Sequence, residues 1–267
     1  MSFVPVKQGN LTYLITQNIA TPHCFTTRLG GVSQGHLASM NIGSHRSDDP
    51  AHVTENFRIL GDALGFTSKQ LVLTRQTHSD IVRAVTGEDA GKGLDHDAYP
   101  ECDGLITNTP GVVLVVFTAD CTPILLHDPV TGAVGAVHAG WRGTAAGIVA
   151  KTVAAMVSHY GCNPENICAA IGPNIGPCCF ETDADVPDAM ISALGDRALP
   201  HIRQVGSKYY VNLKEMNKLW LSQAGVSNIS ISSLCTSCRQ DLFWSHRQTG
   251  NLRGSQGAVI LCKEKIL

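Results

Sequence analysis

The sequence predicts an α+β fold: one domain over residues 1–267, with a layered sheet core and flanking helices. Three observations carry this. Strand-like segments outnumber helical ones without strict alternation, as expected of sheets covered by helices rather than of repeated strand–helix units. The strand-like runs near the middle are apolar at both alternating positions, so both of their faces are expected to be covered. No Pro/Ser-rich linker, low-complexity tract or internal repeat divides the 267 residues, which are enough to bury a sizeable core.

Strands are expected at residues 11–16 (LTYLIT), 71–76, 112–118 (VVLVVFT), 124–128, 133–139 (AVGAVHA), 166–172, 228–234 and 258–263. Each is rich in β-branched residues and bounded by Gly, Pro, Asp or Asn. A helix over 50–64 follows SDD, which supplies capping residues. A second, alanine-rich, is expected from Thr144 to residue 160, with Gly161 as its stop. Two more are expected at 183–194 and 212–224.

Composition narrows the function classes. Hydrophobic residues make up 43% and charged residues 16%, with a formal net charge of −2. Nucleic acid and membrane surfaces favour a strong positive field, so neither is expected as a partner. The first residues, MSFVPVKQGNLTYLITQ, hold no apolar stretch of signal length, and GVVLVVFTA is about half of a membrane span. A cytoplasmic protein is expected, as a monomer or small homo-oligomer. The ten cysteines are expected to be reduced, since several, such as Cys168 and Cys262, sit inside apolar segments.

Three polar clusters lie at strand ends. In AVGAVHAGWRGT, His138 ends a strand, glycines follow, and Arg142 precedes a helix start, where unpaired N–H groups and the arginine fork suit an anion. In FTADCTPILLHDP, Asp120 and Cys121 follow an apolar strand. In LTRQTHSDIV, His78 sits at a polar break between two strand-like runs. If these ends are neighbours, two imidazoles and a thiolate could hold zinc with a fourth position open, the pattern of a catalytic site. Separations of 43 and 17 residues are too wide for a local zinc finger, so spacing alone does not establish the site.

At these residues the chain resembles a known family. FTTRLGGVSQG with MNIGSHRSDDP, QTHSD, CDGLITNTPGVVLVVFTADCTPILLHDP, AVHAGWRGTAAGI, IGPNIGPCCFE and CTSC…LFWSHRQTGNLRG match, in order, the YfiH family, also called the laccase-domain or multicopper polyphenol oxidoreductase family. The resemblance implies a YfiH-like α+β domain and one zinc ion held by His78, Cys121 and His138. It also implies phosphorolysis of adenosine, inosine, guanosine or methylthioadenosine, and deamination of adenosine. Candidate substrate contacts are Arg28, Asn41 and His45 in the N-terminal block, with Arg142 near the phosphate. Asp120 is a candidate either to orient a ligand or to shuttle a proton.

Copper can take the same ligands, and laccase-like phenol oxidation is the alternative the family label suggests. The paired His-x-His and His-Cys-His segments of a multicopper cluster do not occur in the sequence. Nor do the His-x-Glu and Pro-Cys-x-x-Cys elements of cytidine-type deaminases. A metal-free hydrolase with Cys121 as nucleophile and His138 as base is a further alternative, as is a non-catalytic zinc fold whose pocket serves a protein partner. Two departures from the family pattern stand out. FWSHR, with Trp244 and His246, replaces a tyrosine-bearing stretch, and Cys238 turns the family's single cysteine, Cys235, into a Cys-x-x-Cys pair. Cys238 is read as incidental, with a second metal or a redox pair left open.

Overall fold

In the computed structural model, which describes residues 3–43, 47–94 and 99–264, the doubly apolar runs are strands buried on both sides. Along Val113–Thr118 successive side chains point to opposite faces. Leu114 and Val116 enter a core with Phe25, Leu125, Val134 and Ala136. Val113 and Val115 instead meet Val53, Phe57 and Leu60 of the helix Pro50–Leu64. On the other side of that first core, Ile124, Leu126 and Val137 turn outward onto Ile148, Val153 and Met156 of the helix Ile148–Tyr160. The result is four layers: helix, sheet, sheet, helix.

Among the described residues the first sheet has seven strands, in the order Phe3–Gln8, Leu11–Thr16, His23–Thr26, Gln256–Leu261, Val113–Thr118, Leu71–Arg75 and Tyr99–Glu101. The second has six: Asn228–Ile231, Cys168–Ile171, Thr122–His127, Val134–Ala139, Gly104–Thr107 and Val82–Ala84. A three-stranded ribbon (Glu181–Thr182, Lys208–Val211, Ile202–Val205) and the helix Asp185–Leu194 form a smaller cluster beside them.

The connections place the site. Leu71–Arg75 runs parallel to Val113–Thr118 and to Tyr99–Glu101, so these three strands end at the same margin. From each of them the chain crosses to the second sheet, through residues 76–81, 102–103 and 119–121. The strand Val134–Ala139, antiparallel to Gly104–Thr107 and to Thr122–His127, finishes at that same margin.

The helix Pro50–Leu64 has the expected bounds: Asp49 accepts from Ala51 N at 2.9 Å, and Gly65, at φ 82°, ends it. The single helix expected over 144–160 is corrected to two, Trp141–Ala145 and Ile148–Tyr160. Alanine-rich composition favours continuing the helix, but Gly147 adopts φ 71° and Trp220 Nε1 donates to the Thr144 carbonyl at 2.8 Å, capturing an acceptor that the next turn would use. The half-exposed strand Phe3–Gln8 and the short Val82–Ala84 escape the apolar pattern because neither is fully buried.

Gly172 shows how closely the layers fit. A Cβ there would stand 2.3 Å from the Phe25 ring. Gly172→Ala should therefore destabilise the protein by about 1–3 kcal/mol. In a denaturant double-mutant cycle with Phe25→Leu, the combined loss should be smaller than the sum of the two; strict additivity would contradict the contact.

Candidate metal centre

His78, Cys121 and His138 converge at this shared margin. Their ligand atoms all lie within 4.8 Å of one another. Cys121 Sγ is 3.8 Å from His78 Nε2, and the two imidazole centroids are 5.0 Å apart at an interplanar angle of 79°. A tetrahedral ion with a zinc–sulfur bond of about 2.3 Å and a zinc–nitrogen bond of about 2.05 Å sets its S and N ligands about 3.6 Å apart. The donor set and the spacing fit such an ion.

Each ligand has a local reason for its position. His138 continues the inward parity of Val134 and Ala136 along its strand, so its ring points between the sheets where they part. Cys121 closes a tight crossing in which Thr118 Oγ1 donates to the Cys121 carbonyl at 2.5 Å. His78 sits at φ 60°, a left-handed conformation that costs a non-glycine residue energy. Gly140 leaves the space its ring occupies: a Cβ there would lie 2.8 Å from His78 Cδ2 and 3.4 Å from Cys121 Sγ. That accounts for glycine in HAGWRG.

Asp103, fully buried in the crossing 102–103, organises the centre. Its Oδ1 accepts from His138 Nδ1 at 2.7 Å and from His78 N at 3.1 Å. Oδ2 accepts from Thr77 N at 3.1 Å, Ser79 N at 2.7 Å and Ser79 Oγ at 2.6 Å. One carboxylate thus holds the strained His78 loop and turns His138 Nε2 toward the other two ligands. Burial alone would raise the Asp103 carboxyl, but hydrogen bonding and charge from His138, with the Ser79 bonds, hold it at about 2. Burial would likewise raise the Cys121 thiol; the charge and hydrogen bond of His138, and then His78, bring it down to about 6. For His138 burial is outweighed by Cys121 and Asp103, which raise it to about 9. Without metal these shifts favour a Cys121 thiolate beside a His138 imidazolium.

Cavities of about 160 and 360 Å³ meet at His78, Cys121 and Arg253. Thr74, Gln76, Thr118 and Ser255 are among the residues lining the smaller one, and Trp141, Ile175, Phe180 and Leu213 line the larger beside Arg247 and Asn251. The other described sequence candidates are not part of the three-atom cluster. Asp120, at φ 89°, accepts from Thr236 Oγ1 at 2.6 Å, Arg247 N at 2.7 Å and Ser245 Oγ at 3.0 Å. Its carboxylate anchors the C-terminal wall of the larger cavity. Arg28 lies 3.8 Å over the Trp244 ring and donates to the Ala38 and Gln240 carbonyls in a separate hollow. Asn41, fully buried, bonds Asp48 and accepts from Ser255 N. Arg142 lies 4.1 Å from the Trp141 ring centroid. His45 lies outside the described residues.

Sequence reasoning passed over Asp103 and Arg253. Asp103 reads as an Asp-Gly turn; its partners, 24 to 35 residues away in sequence, reach it only through the fold. Arg253 sits in NLRG just before the last strand, inside a motif already noted for the family.

Two outcomes check the centre. Asp103→Asn should weaken metal retention about 10–100-fold in competition with a chelator; retention equal to the parent's would contradict the orienting role. In the metal-free protein the Cys121 thiolate is present above pH 6 and lost as pH falls through that value. Alkylation of Cys121 by iodoacetamide should therefore be near its plateau at pH 7; a rate still climbing from pH 8 to 9, as for an ordinary thiol, would count against the pairing.

The family described as multi-copper polyphenol oxidoreductase laccase matches residues 22–263. The protein named purine nucleoside phosphorylase YlmD from Geobacillus stearothermophilus is 41% identical over 240 residues, 88% of this chain and 86% of the relative. Purine nucleoside phosphorylase YfiH from Escherichia coli is 38% identical over 225 residues, 84% of this chain and 87% of the relative. The crystal structure of YlmD from Geobacillus stearothermophilus superposes with a TM-score of 0.92 at 37% identity, covering 98% of this chain and 100% of that one. With this match in sequence and in fold, the chain belongs to the YfiH, or laccase-domain polyphenol oxidoreductase, family.

Proposed function

We propose that the chain cleaves purine nucleosides with inorganic phosphate at the centre formed by His78, Cys121 and His138, with zinc as the resident ion. The observation that carries this is a three-ligand centre at the junction of two cavities, both of them lined by Arg253. The names of the relatives support the same reaction.

A bound zinc ion supplies Lewis-acid stabilisation of developing negative charge. The chain's residues supply the rest. Trp141, Phe180, Ile175 and Leu213 offer apolar surface suited to a purine ring, and Arg253 and Ser255, lining the smaller cavity, offer donors suited to phosphate. A phosphate oxygen bonds to C1′ of the ribose as the C1′–N9 bond breaks; the purine leaves with the bonding electrons and takes up a proton. Arg253, lining both cavities, stabilises the charge moving between phosphate and base.

Other candidates act at one remove. Asp120 positions Arg247 by accepting its backbone N–H, and Asn41 positions Ser255 in the same way. Arg28 braces Trp244, while Arg142 is kept as a phosphate contact carried beside Trp141, and His45 as a contact from the N-terminal block.

The family description favours a second reading, copper-dependent phenol oxidation. Copper would take the same Cys/His/His set.

Purified protein incubated with adenosine or inosine and phosphate should release free base and ribose 1-phosphate, resolved by chromatography. His138→Ala and Cys121→Ala should lower turnover about 100-fold or more. Arg253→Ala should raise KM for phosphate about tenfold or more. Inosine formed from adenosine without phosphate would indicate deamination at the same centre. Intact nucleosides at saturating phosphate, with syringaldazine oxidised by the copper-loaded protein, would overturn the proposal.

A further inference from the structure

We propose that Cys178, Cys179, Cys235 and Cys238 form a second metal site, a closed tetrathiolate that binds zinc and fixes one wall of the larger cavity. It stands independently of the reaction proposed above.

The four sulfurs all lie within 4.8 Å of one another. Cys238 Sγ is 3.6 Å from Cys178 Sγ and 3.4 Å from Cys179 Sγ. A tetrahedral zinc ion with bonds of about 2.3 Å sets its sulfurs about 3.8 Å apart. A disulfide joins only two sulfurs and leaves two thiols crowded against it, whereas one ion uses all four. The cysteines arrive in two pairs from separate loops, one after the strand Cys168–Ile171 and one after Asn228–Ile231. These two strands are adjacent and parallel, and a bridge between Asn174 and Cys235 continues their pairing, so the fold itself brings the two cysteine pairs side by side.

Three further features suit thiolates at this place. The backbone N–H of Gly176 donates to Cys235 Sγ at 3.1 Å. Amide donors of this kind stabilise a charged sulfur and fix its direction. Lys214, 6% exposed, lines the same hollow as Cys178 and Cys235, with Nζ donating to the Leu234 carbonyl at 2.7 Å. A tetrathiolate zinc site, with two net negative charges, suits a buried ammonium at this place. Gly176 permits the close approach: a Cβ there would stand 3.2 Å from Cys178 Sγ and 3.3 Å from Cys235 Cβ.

The site ties two loops that line the larger cavity. Phe180 follows Cys179, and Arg247 donates to the Cys179 carbonyl at 2.6 Å. Thr236, between Cys235 and Cys238, donates to Asp120 beside Cys121. With four protein ligands and no open position, its role is structural.

The test uses the full chain purified without chelator. Metal analysis should find two zinc ions per chain in the parent protein. Cys121→Ala and the double variant Cys178→Ser/Cys238→Ser should each retain one. Cobalt loaded into the Cys121→Ala protein, in which the four cysteines are unaltered, should give the intense visible and charge-transfer bands of tetrahedral thiolate coordination. One zinc in the parent and none in Cys121→Ala, with no such cobalt spectrum, would overturn the site. So would an intact mass two hydrogens below the reduced value, with the missing thiols mapped to two of these four cysteines.

Discussion

A single buried carboxylate ties the centre together. Asp103 bonds the backbone or side chain of Thr77, His78, Ser79 and His138, so two of the three candidate ligands are set by one group. An unpaired carboxylate at zero exposure would be prohibitive. Here its bonds balance the desolvation, and the same bonds hold His78 in its left-handed conformation. Fold and site therefore share one constraint: the second sheet cannot receive the 102–103 crossing without also positioning the histidines.

The topology explains why this margin hosts the chemistry. Three parallel strands hand the chain across from one sheet to the other side by side, and each crossing brings a polar residue out of the apolar interior: His78, Asp103 and Cys121. Crossings cannot be as apolar as the strands they join, because their backbone groups need partners outside a ladder. Those partners are supplied by the carboxylate of Asp103 and the hydroxyl of Thr118, leaving the imidazoles and the thiol to face the opening. The C-terminal segment completes the cavity through Asp120, whose three donors come from Thr236, Ser245 and Arg247. Trp244, a departure from the family pattern, has its own use as the ring under Arg28.

Much of this was legible in the sequence because burial writes itself as apolar runs. The central strands and the capped helix 50–64 follow from that pattern, as does the placing of His78, Cys121 and His138 at strand ends. What was hidden depends on direction and distance. Asp120 and Cys121 are neighbours in sequence, yet the crossing turns sharply at Asp120, φ 89°, so the carboxylate faces the C-terminal segment while the thiol faces the histidines. Asp103 lies in the CDGLITNT block that carries the family resemblance, but its role exists only once the loop 76–81 folds over it. The break at Gly147 comes from Trp220, 73 residues away, against a local preference for helix. Cys238 looked superfluous beside Cys235 because its neighbours Cys178 and Cys179 lie on another loop.

The most direct measurement of the central claim is a crystal of the chain examined with X-rays at the absorption edge of its metal. The account predicts an anomalous peak within about 2.0–2.3 Å of His78 Nε2, Cys121 Sγ and His138 Nε2 together, with His138 Nδ1 still bonded to Asp103. A metal-replete crystal with no peak among these three atoms, or with the trio splayed beyond the reach of one ion, would contradict it.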